Sequence, residues 1–111
     1  MKLVQAIIKP LKMDEVKDSL NQIGIGGLTV TEVKGIGRQS GTAEMFVSAR
    51  AGGGLPKVCL EIAVEDGKVE RVIEAIRSAG RTDKVGDGKI FVYDIVDAVR
   101  IRTGERGKDS I

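Results

Sequence analysis

The residues best suited to chemistry lie late in the chain, where Gly86-Asp87-Gly88-Lys89 combines two glycines with a lysine. Glycines let backbone N–H groups approach an anion and form a nest, and Lys89 adds a positive charge. The pattern is typical of a phosphate-binding loop, but it lacks the full P-loop spacing before a helix. A turn before a strand explains the same residues, and the spacing alone favours the turn.

Three other places offer groups of a similar kind. Residues 35–38 (Gly-Ile-Gly-Arg) leave the same choice between an anion nest and a turn. Residues 100–102 (Arg-Ile-Arg) put two arginines on one side of a chain that we expect to be extended. There they can form a fork around phosphates or a solvated basic edge. Lys57 and Glu61 lie on the polar face of a predicted strand, where surface alternation is the simpler interpretation.

Composition excludes several function classes. The 111 residues are 41% hydrophobic and 31% charged, which predicts one folded domain. A net charge of +2 is too small to indicate nucleic acid or a membrane as partner. Two Phe and one Tyr are too few for a platform that stacks single-stranded nucleic acid. The absence of His removes His-based acid–base catalysis and most zinc and copper sites.

Cysteine usage and hydropathy predict the compartment. The lone Cys59 cannot form an internal disulfide, which suits a reducing environment. No signal-peptide pattern and no apolar run of about 18 residues is present. We therefore expect a cytoplasmic protein that does not insert into a membrane.

Periodicity predicts the elements that must position these groups. Apolar spacings of three and four predict helices at residues 13–23 and 68–79, with Gly24 and Gly80 as their C-terminal stops. Strands are predicted from β-branched content or period-two alternation at residues 3–8, 28–36, 57–64 and 90–93. In the third strand, one buried face alternates with a more polar one. The buried face holds Val58, Leu60, Ile62 and Val64; the other holds Lys57, Cys59, Glu61 and Ala63.

The order of these elements predicts an α+β, ferredoxin-like βαββαβ sandwich with both helices on one face of a four-stranded antiparallel sheet. The other sheet face then needs cover, which predicts an oligomer. Residues 39–54 show no clear period, and a compact domain seldom keeps so long a loop without using it. We expect this loop to report a bound ligand to a partner. The polar tail at residues 103–111 should be mobile unless something ties it down.

Taken together, these segments resemble the PII family of nitrogen-regulatory signalling proteins over nearly the whole chain. The matching motifs are Ala6-Ile7-Ile8-Lys9-Pro10, Leu28-Thr29-Val30-Thr31-Glu32-Val33-Lys34-Gly35 with Gly37-Arg38-Gln39, Leu55-Pro56-Lys57-Val58, Lys84-Val85-Gly86-Asp87-Gly88-Lys89-Ile90-Phe91-Val92, and Arg100-Ile101-Arg102-Thr103-Gly104-Glu105.

The resemblance implies a homotrimer of ferredoxin-like subunits with nucleotide sites in the clefts between them. It implies competitive binding of ATP or ADP and, together with Mg-ATP, binding of 2-oxoglutarate. Residues 1–111 would be one PII-like domain, with a T-loop at about 37–54 between the second and third strands. A B-loop would lie at about 81–89 and a C-terminal loop at about 101–111.

Site residues follow from the same resemblance. Those implied around phosphates and metal are Gly35, Gly37, Arg38, Gln39, Gly86, Asp87, Gly88 and Lys89, with Arg100 and Arg102 from a neighbouring subunit. Those implied around adenine are Ile7, Thr29, Glu61, Ala63 and Val64; Ala63 is smaller than the aliphatic residue expected there. Those implied for 2-oxoglutarate are Gln39 and Lys57, and Gln39 would also bind Mg²⁺.

The residue types agree with these roles. Lys89, Arg38, Arg100 and Arg102 can compensate the charge of a triphosphate. The amide oxygen of Gln39 suits Mg²⁺, which prefers oxygen ligands, and a 2-oxo acid would chelate the same ion. Binding at the base of the loop could then shift its conformational population. No usual nucleophile or base lies nearby, so we expect a binding switch with at most slow ATP hydrolysis, not an enzyme.

Departures from the family pattern lie in the T-loop, which aligns as one residue shorter than the common form. It contains no Tyr: Phe46 stands where one tyrosine is common, and Ala51 or Gly52 stands at the tyrosine uridylylated in many members. We therefore expect no such modification. Ser48 is most simply a plain loop serine. We expect Arg50 to matter for docking to a partner.

Three functions remain open. The first is a nucleotide and 2-oxoglutarate sensor that regulates an ammonium transporter or a nitrogen-metabolism enzyme. The second keeps the nucleotide site without 2-oxoglutarate sensing and serves a partner outside nitrogen metabolism. Gln39 and Lys57 argue against it, whereas the altered loop argues mildly for it. The third, an enzyme or metal-binding module, conflicts with the absence of His.

Overall fold

The computed structural model describes residues 1–36 and 54–111. Its helices and strands follow in the order β1 (Lys2–Ile8), α1 (Met13–Gln22), β2 (Thr29–Gly35), β3 (Leu55–Val64), α2 (Val69–Gly80) and β4 (Lys89–Asp94). One 3-10 turn precedes each helix, at Pro10–Lys12 and Asp66–Lys68, and a third lies at Gly107–Ser110. The predicted alternation of strands and helices is confirmed.

All three strand pairings are antiparallel, and the sheet order is β2-β3-β1-β4. The first and third strands are central, and each βαβ half contributes one central and one edge strand. This is the ferredoxin-like α+β topology that the sequence predicts.

The core lies between one face of the sheet and the two helices. From the sheet come Val4 and Ala6 of β1 and Leu60 and Ile62 of β3, all at most 1% exposed. The helices supply Val16, Leu20, Val72 and Ile76. Within each helix the two residues are four positions apart and so share one face, which is why both helices bury a single stripe.

Gly24 ends α1 as predicted. Its φ of +85° lies in the left-handed region, which glycine enters without the steric cost of a Cβ. The Gly24 N–H donates to the Asn21 carbonyl oxygen at 3.0 Å, and the Ile25 N–H donates to the Leu20 carbonyl oxygen at 3.0 Å. The chain therefore reverses at once and enters β2.

In the part of the chain that the structure describes, no helix covers the other sheet face, as predicted. It is formed by the alternate residues of each strand, among them Ile7 of β1, Cys59 of β3 and Phe91 and Tyr93 of β4. Phe91 is 43% exposed and Tyr93 47% exposed. Cys59 is buried there between its neighbours, and this burial raises the pKa of its thiol. We call this surface the open sheet face.

The segment after β4 folds back on itself. Val99 bridges to Arg106, and the Gly107 N–H donates to the Ala98 carbonyl oxygen at 3.0 Å. The expectation that residues 100–102 are extended is wrong. The Gly104 N–H donates to the Arg100 carbonyl oxygen at 2.7 Å, and the φ of +76° at Gly104 lets this tight turn close. The tail is thus tied down by a hairpin.

Of the two helices in the described residues, the longer one, α2, has 12 residues. Within residues 1–36 and 54–111, no helix combines the length and the apolar character that crossing a bilayer requires.

Candidate functional site

The candidate site is built around residues 81–88, which connect α2 to β4; we call them the phosphate loop because of their predicted role. Three of them have positive φ: Asp83 at +63°, Gly86 at +102° and Gly88 at +99°. A Cβ added to Gly88 would lie only 1.7 Å from the carbonyl oxygen of Ile7. The loop backbone therefore touches the backbone of β1 at a place where only glycine fits.

Three consecutive backbone donors of this loop have no acceptor among the described residues. Within the part of the chain that the structure describes, no hydrogen bond uses the N–H groups of Gly86, Asp87 or Gly88. Consecutive N–H groups around positive-φ residues form concave anion sites. The loop can therefore offer its backbone donors to a ligand.

The Asp87 carboxylate folds back onto the start of the loop. It accepts from the backbone N–H of Thr82 at 2.7 Å and of Asp83 at 3.0 Å, and also from the Thr82 hydroxyl. Lys9, just after β1, lies 3.2 Å from the same carboxylate. Hydrogen bonds from Thr82 are the main reason why the pKa of Asp87 lies far below its usual range.

Lys57 of β3 reaches the loop from the other side. Its ammonium donates to the Gly86 carbonyl oxygen at 2.5 Å. Burial, and secondarily the charge of Lys9, lowers the pKa of Lys57. Among the described residues no carboxylate lies within 4.0 Å of the ammonium, so its charge is available to an anionic ligand.

Gly35, at the end of β2, brings the start of the predicted T-loop to the same place. A Cβ at Gly35 would lie 3.3 Å from Cγ of Lys57, so the glycine packs against the lysine stem. Gly37, Arg38 and Gln39 lie outside the described residues, as do Phe46, Ser48, Arg50 and Ala51. Gln39 would enter the site from this side if it fulfils its predicted role.

Lys89 starts β4 and is exposed, directly after the two loop glycines. Beside it, a cleft of about 380 Å³ runs between α2 and the loop. Its lining includes the apolar residues Ile8, Ile73 and Ile76 and the basic residues Arg77 and Arg81. The predicted residues Ile7, Asp87, Gly88 and Lys89 line the same cleft.

The predicted adenine residues divide between the two sheet faces. The register pairs Thr29 with Glu61, and alternation places Ile7, Glu61 and Ala63 on the open sheet face with Thr29. Val64 points to the opposite face and is 4% exposed within the core. The structure therefore brings four of these five side chains to one surface and not the fifth.

Arg100 and Arg102 lie in the C-terminal hairpin. Arg100 pairs with Glu105 at 3.1 Å within that hairpin. In the described residues, neither arginine forms a hydrogen bond or salt bridge with the phosphate loop of its own chain. Their predicted role on a neighbouring subunit stays a prediction.

Lys9 and Thr82 are two polar residues of the site that the sequence did not single out for chemistry. The Lys9 ammonium donates to the Thr82 hydroxyl at 3.0 Å, and both contact Asp87. Both partners lie more than 70 positions from Lys9 along the chain, so no periodic pattern in the sequence could have indicated these contacts. The spacing of Thr82 and Asp87 could have indicated a local contact, since hydroxyl and carboxylate side chains often form the hydrogen bonds that close a turn.

Comparison with known proteins places this arrangement in a family. The family model described as "Nitrogen regulatory protein P-II" matches residues 1–105. The chain belongs to the nitrogen regulatory protein P-II family. The resemblance inferred from the motifs is thereby confirmed, and with it a place among nitrogen-regulatory signal-transduction proteins.

Relatives and a solved structure agree over the full length. Proteins named nitrogen regulatory protein P-II from Rhodospirillum rubrum and Azospirillum brasilense are 57% and 54% identical over 112 aligned residues, covering 100% of both chains in each case. The crystal structure of Arabidopsis thaliana PII bound to citrate superposes with a TM-score of 0.82 at 38% identity, covering 99% of this chain and 91% of that one.

Proposed function

We propose that this P-II family chain is a cytoplasmic homotrimeric sensor that binds ATP or ADP and, with Mg-ATP, 2-oxoglutarate. In this proposal residues 1–111 form one domain, and the loop at about 37–54 carries the ligand state to a partner of nitrogen metabolism, such as an ammonium transporter or an enzyme. The protein regulates by binding, with at most slow ATP hydrolysis.

One observation carries the proposal. The lysine predicted to bind 2-oxoglutarate touches the loop predicted to bind phosphates, because Lys57 donates to the Gly86 carbonyl at 2.5 Å. The two residues are 29 positions apart and belong to different predicted groups. Their contact supports a single site in which an effector carboxylate and a nucleotide phosphate lie next to each other.

Phosphate binding is supported by the loop's fit to the group. Among the described residues, the N–H groups of Gly86, Asp87 and Gly88 have no protein acceptor; both glycines have positive φ, and Lys89 supplies a cation. The Cβ of any other residue at position 88 would fill the cradle. When bound, Mg²⁺ would neutralise phosphate charge; Gln39 would be its protein ligand and Arg38 a further phosphate partner.

A carboxylate effector is supported by the electrostatics of Lys57. Its ammonium is partly desolvated and lies beside Lys9, so two cations share one region. Charged groups in such a setting are stabilised by an anion that also accepts hydrogen bonds. The Arabidopsis relative of known structure is bound to citrate, a polycarboxylate, which agrees with a carboxylate site in the family.

Homotrimer formation is supported by two apolar surfaces. One is the open sheet face with Phe91 and Tyr93. The other is the C-terminal hairpin region, where Val96 is 99% exposed and Ile101 100% exposed. Exposed apolar patches on a folded protein mark protein–protein contacts. In the proposed trimer, Arg100 and Arg102 would serve a neighbour's phosphate loop.

The test is a Lys57→Gln variant with Lys34→Gln as its matched control. Lys34 is also a lysine near the end of a sheet strand, but it is exposed and points to the opposite face, because its register partner is Pro56. We expect Lys57→Gln to lose 2-oxoglutarate binding in the presence of Mg-ATP while it keeps most of its ADP affinity. Lys34→Gln should resemble the wild type.

Calorimetric titration separates the outcomes. An equal loss of 2-oxoglutarate binding in both variants would refute the specific role of Lys57. Wild-type protein that binds ATP but no 2-oxoglutarate would favour the adenylate sensor without a carbon signal. Wild-type protein that binds no adenine nucleotide at all would overturn the proposed function.

A further inference from the structure

The Asp87 carboxylate has no remaining capacity for a ligand. A carboxylate offers about four acceptor positions, two on each oxygen. Oδ2 accepts from the backbone N–H groups of Thr82 at 2.7 Å and Asp83 at 3.0 Å. Oδ1 accepts from the Thr82 hydroxyl and lies 3.2 Å from the Lys9 ammonium. All four positions are occupied by the protein itself.

Thr82 and Lys9 form a closed arrangement with this carboxylate. The Thr82 hydroxyl donates its one hydrogen to Asp87 and accepts from Lys9 at 3.0 Å. Lys9 is anchored at the end of β1, directly before Pro10. The side chains of Lys9 and Asp87 are 19% and 24% exposed, so solvent screens their pairing only in part.

These contacts act on the loop backbone. They draw residue 87 back to residues 82 and 83 and hold Asp83 at a φ of +63°, which is uncommon for a residue other than glycine. The hydrogen bonds of Asp87 hold the loop at one end, and the contact of Gly88 with β1 holds it at the other. Between them lie the N–H groups that have no protein acceptor.

We propose that Lys9 and Thr82 are positioning residues for nucleotide binding, and that Asp87 serves binding through the loop backbone and not by contacting the nucleotide. This inference rests on the proposed nucleotide site. Lys9 also neutralises the Asp87 carboxylate, which would otherwise repel a triphosphate bound at the N–H groups of the same loop.

The first test removes the hydroxyl of Thr82 and keeps its shape. Thr82→Val leaves Asp87 without its hydroxyl donor, and we expect ATP affinity to fall about tenfold. The affinity for adenosine, which has no phosphates, should not change. Thr82→Ser restores the hydroxyl and should restore ATP binding, which a mere change of packing would not do.

Ser19→Ala is the matched control for loss of a hydroxyl. Ser19 donates to the Ala75 carbonyl at 3.0 Å between the helices and is part-buried, like Thr82. We expect this variant to lose some thermal stability and no ATP affinity.

The second test removes the cation. Lys9→Gln is compared with Lys12→Gln, because both lysine side chains are 19% exposed and both pair with a carboxylate, Asp87 and Glu15 respectively. Lys9→Gln should weaken ATP about tenfold and leave adenosine unaffected. Lys12→Gln should leave both ligands unaffected.

The outcomes distinguish two kinds of failure. If the wild type binds ATP and both Thr82→Val and Lys9→Gln bind it equally well, the positioning role is refuted and the proposed function stands. If they lose ATP and adenosine in equal proportion, the effect is general and the role is also refuted. If the wild type binds no ATP, the proposed function fails and takes the inference with it. Should Thr82→Val not fold, Lys9→Gln decides alone.

Discussion

Gly88→Ala is the substitution for which the structure predicts the largest local conflict. The new Cβ would lie 1.7 Å from the Ile7 carbonyl oxygen, whereas carbon–oxygen contacts are ordinarily about 3.3 Å or longer. The loop would have to move away from β1 by roughly 1.6 Å. Such a movement would pull the loop's N–H groups out of their arrangement.

The expected magnitude has two parts. A residue with a Cβ at a φ of +99° costs about 1–2 kcal/mol because of local steric strain. Overpacking against β1 adds about 1–3 kcal/mol. Together they predict a loss of about 2–5 kcal/mol in the free energy of unfolding, which corresponds to roughly 8–20 °C in Tm for a domain of this size.

Gly24→Ala separates the cost of strain at positive φ from the cost of overpacking. Gly24 has a φ of +85°, but a Cβ there would meet no atom within 4 Å, so only the conformational strain applies. We expect this control to lose about 1–2 kcal/mol and to bind ATP like the wild type.

Thermal unfolding and ATP titration of the two variants complete the assay. Both variants are measured at one protein concentration, because the proposed subunit association would make Tm concentration-dependent. Gly88→Ala should be clearly less stable than Gly24→Ala and should bind ATP more than tenfold more weakly. If the two variants lose equal stability and both bind ATP normally, the close contact between the phosphate loop and β1 is refuted.

Three further outcomes are expected. As the pH rises, the affinity for 2-oxoglutarate should begin to decrease at a pH below 10.5, the ordinary pKa of lysine, because burial lowers the pKa of Lys57 and the neutral amine cannot pair with a carboxylate. Calorimetry from pH 7 to 10 measures this decrease, and Lys57→Arg should abolish it. Cys59, buried and with a raised pKa, should react slowly with iodoacetamide in native protein and quickly in urea; rapid native labelling would contradict its placement. Arg106→Ala should change the free energy of unfolding only slightly, because its pair with Asp97 is exposed; a large loss in denaturant titration would mean that the hairpin is a main source of stability.

Local patterns in the sequence were sufficient for the elements and their order. Apolar spacing located α1 within one residue of its observed end at Gln22. β-branched content predicted a strand at residues 28–36, one residue longer at each end than β2 at Thr29–Gly35. Period-two alternation in β3 identified its buried face correctly. The same alternation already separates Val64 from Glu61 and Ala63, so the division of the predicted adenine residues between two faces could have been seen in the sequence.

Long-range contacts were beyond such patterns. Lys9 meets Asp87 only because β1 and β4 pair in the sheet, and nothing within a short window links the two positions. The expectation of an extended chain at residues 100–102 failed for a related reason. The turn there depends on Gly104 and on pairing between residues on either side, which the alternation of Arg-Ile-Arg does not report.

The most direct measurement is a calorimetric titration of 2-oxoglutarate into the purified protein, with and without Mg-ATP. In the proposed function, nucleotide, metal and carboxylate share one site, which the contact between Lys57 and the phosphate loop supports. The effector should therefore bind only when Mg-ATP is present. Binding of equal affinity in both conditions would contradict a shared site. If 2-oxoglutarate binds in neither condition while ATP still binds, the proposed sensing of 2-oxoglutarate would be contradicted. The protein would then be a sensor of adenine nucleotides alone.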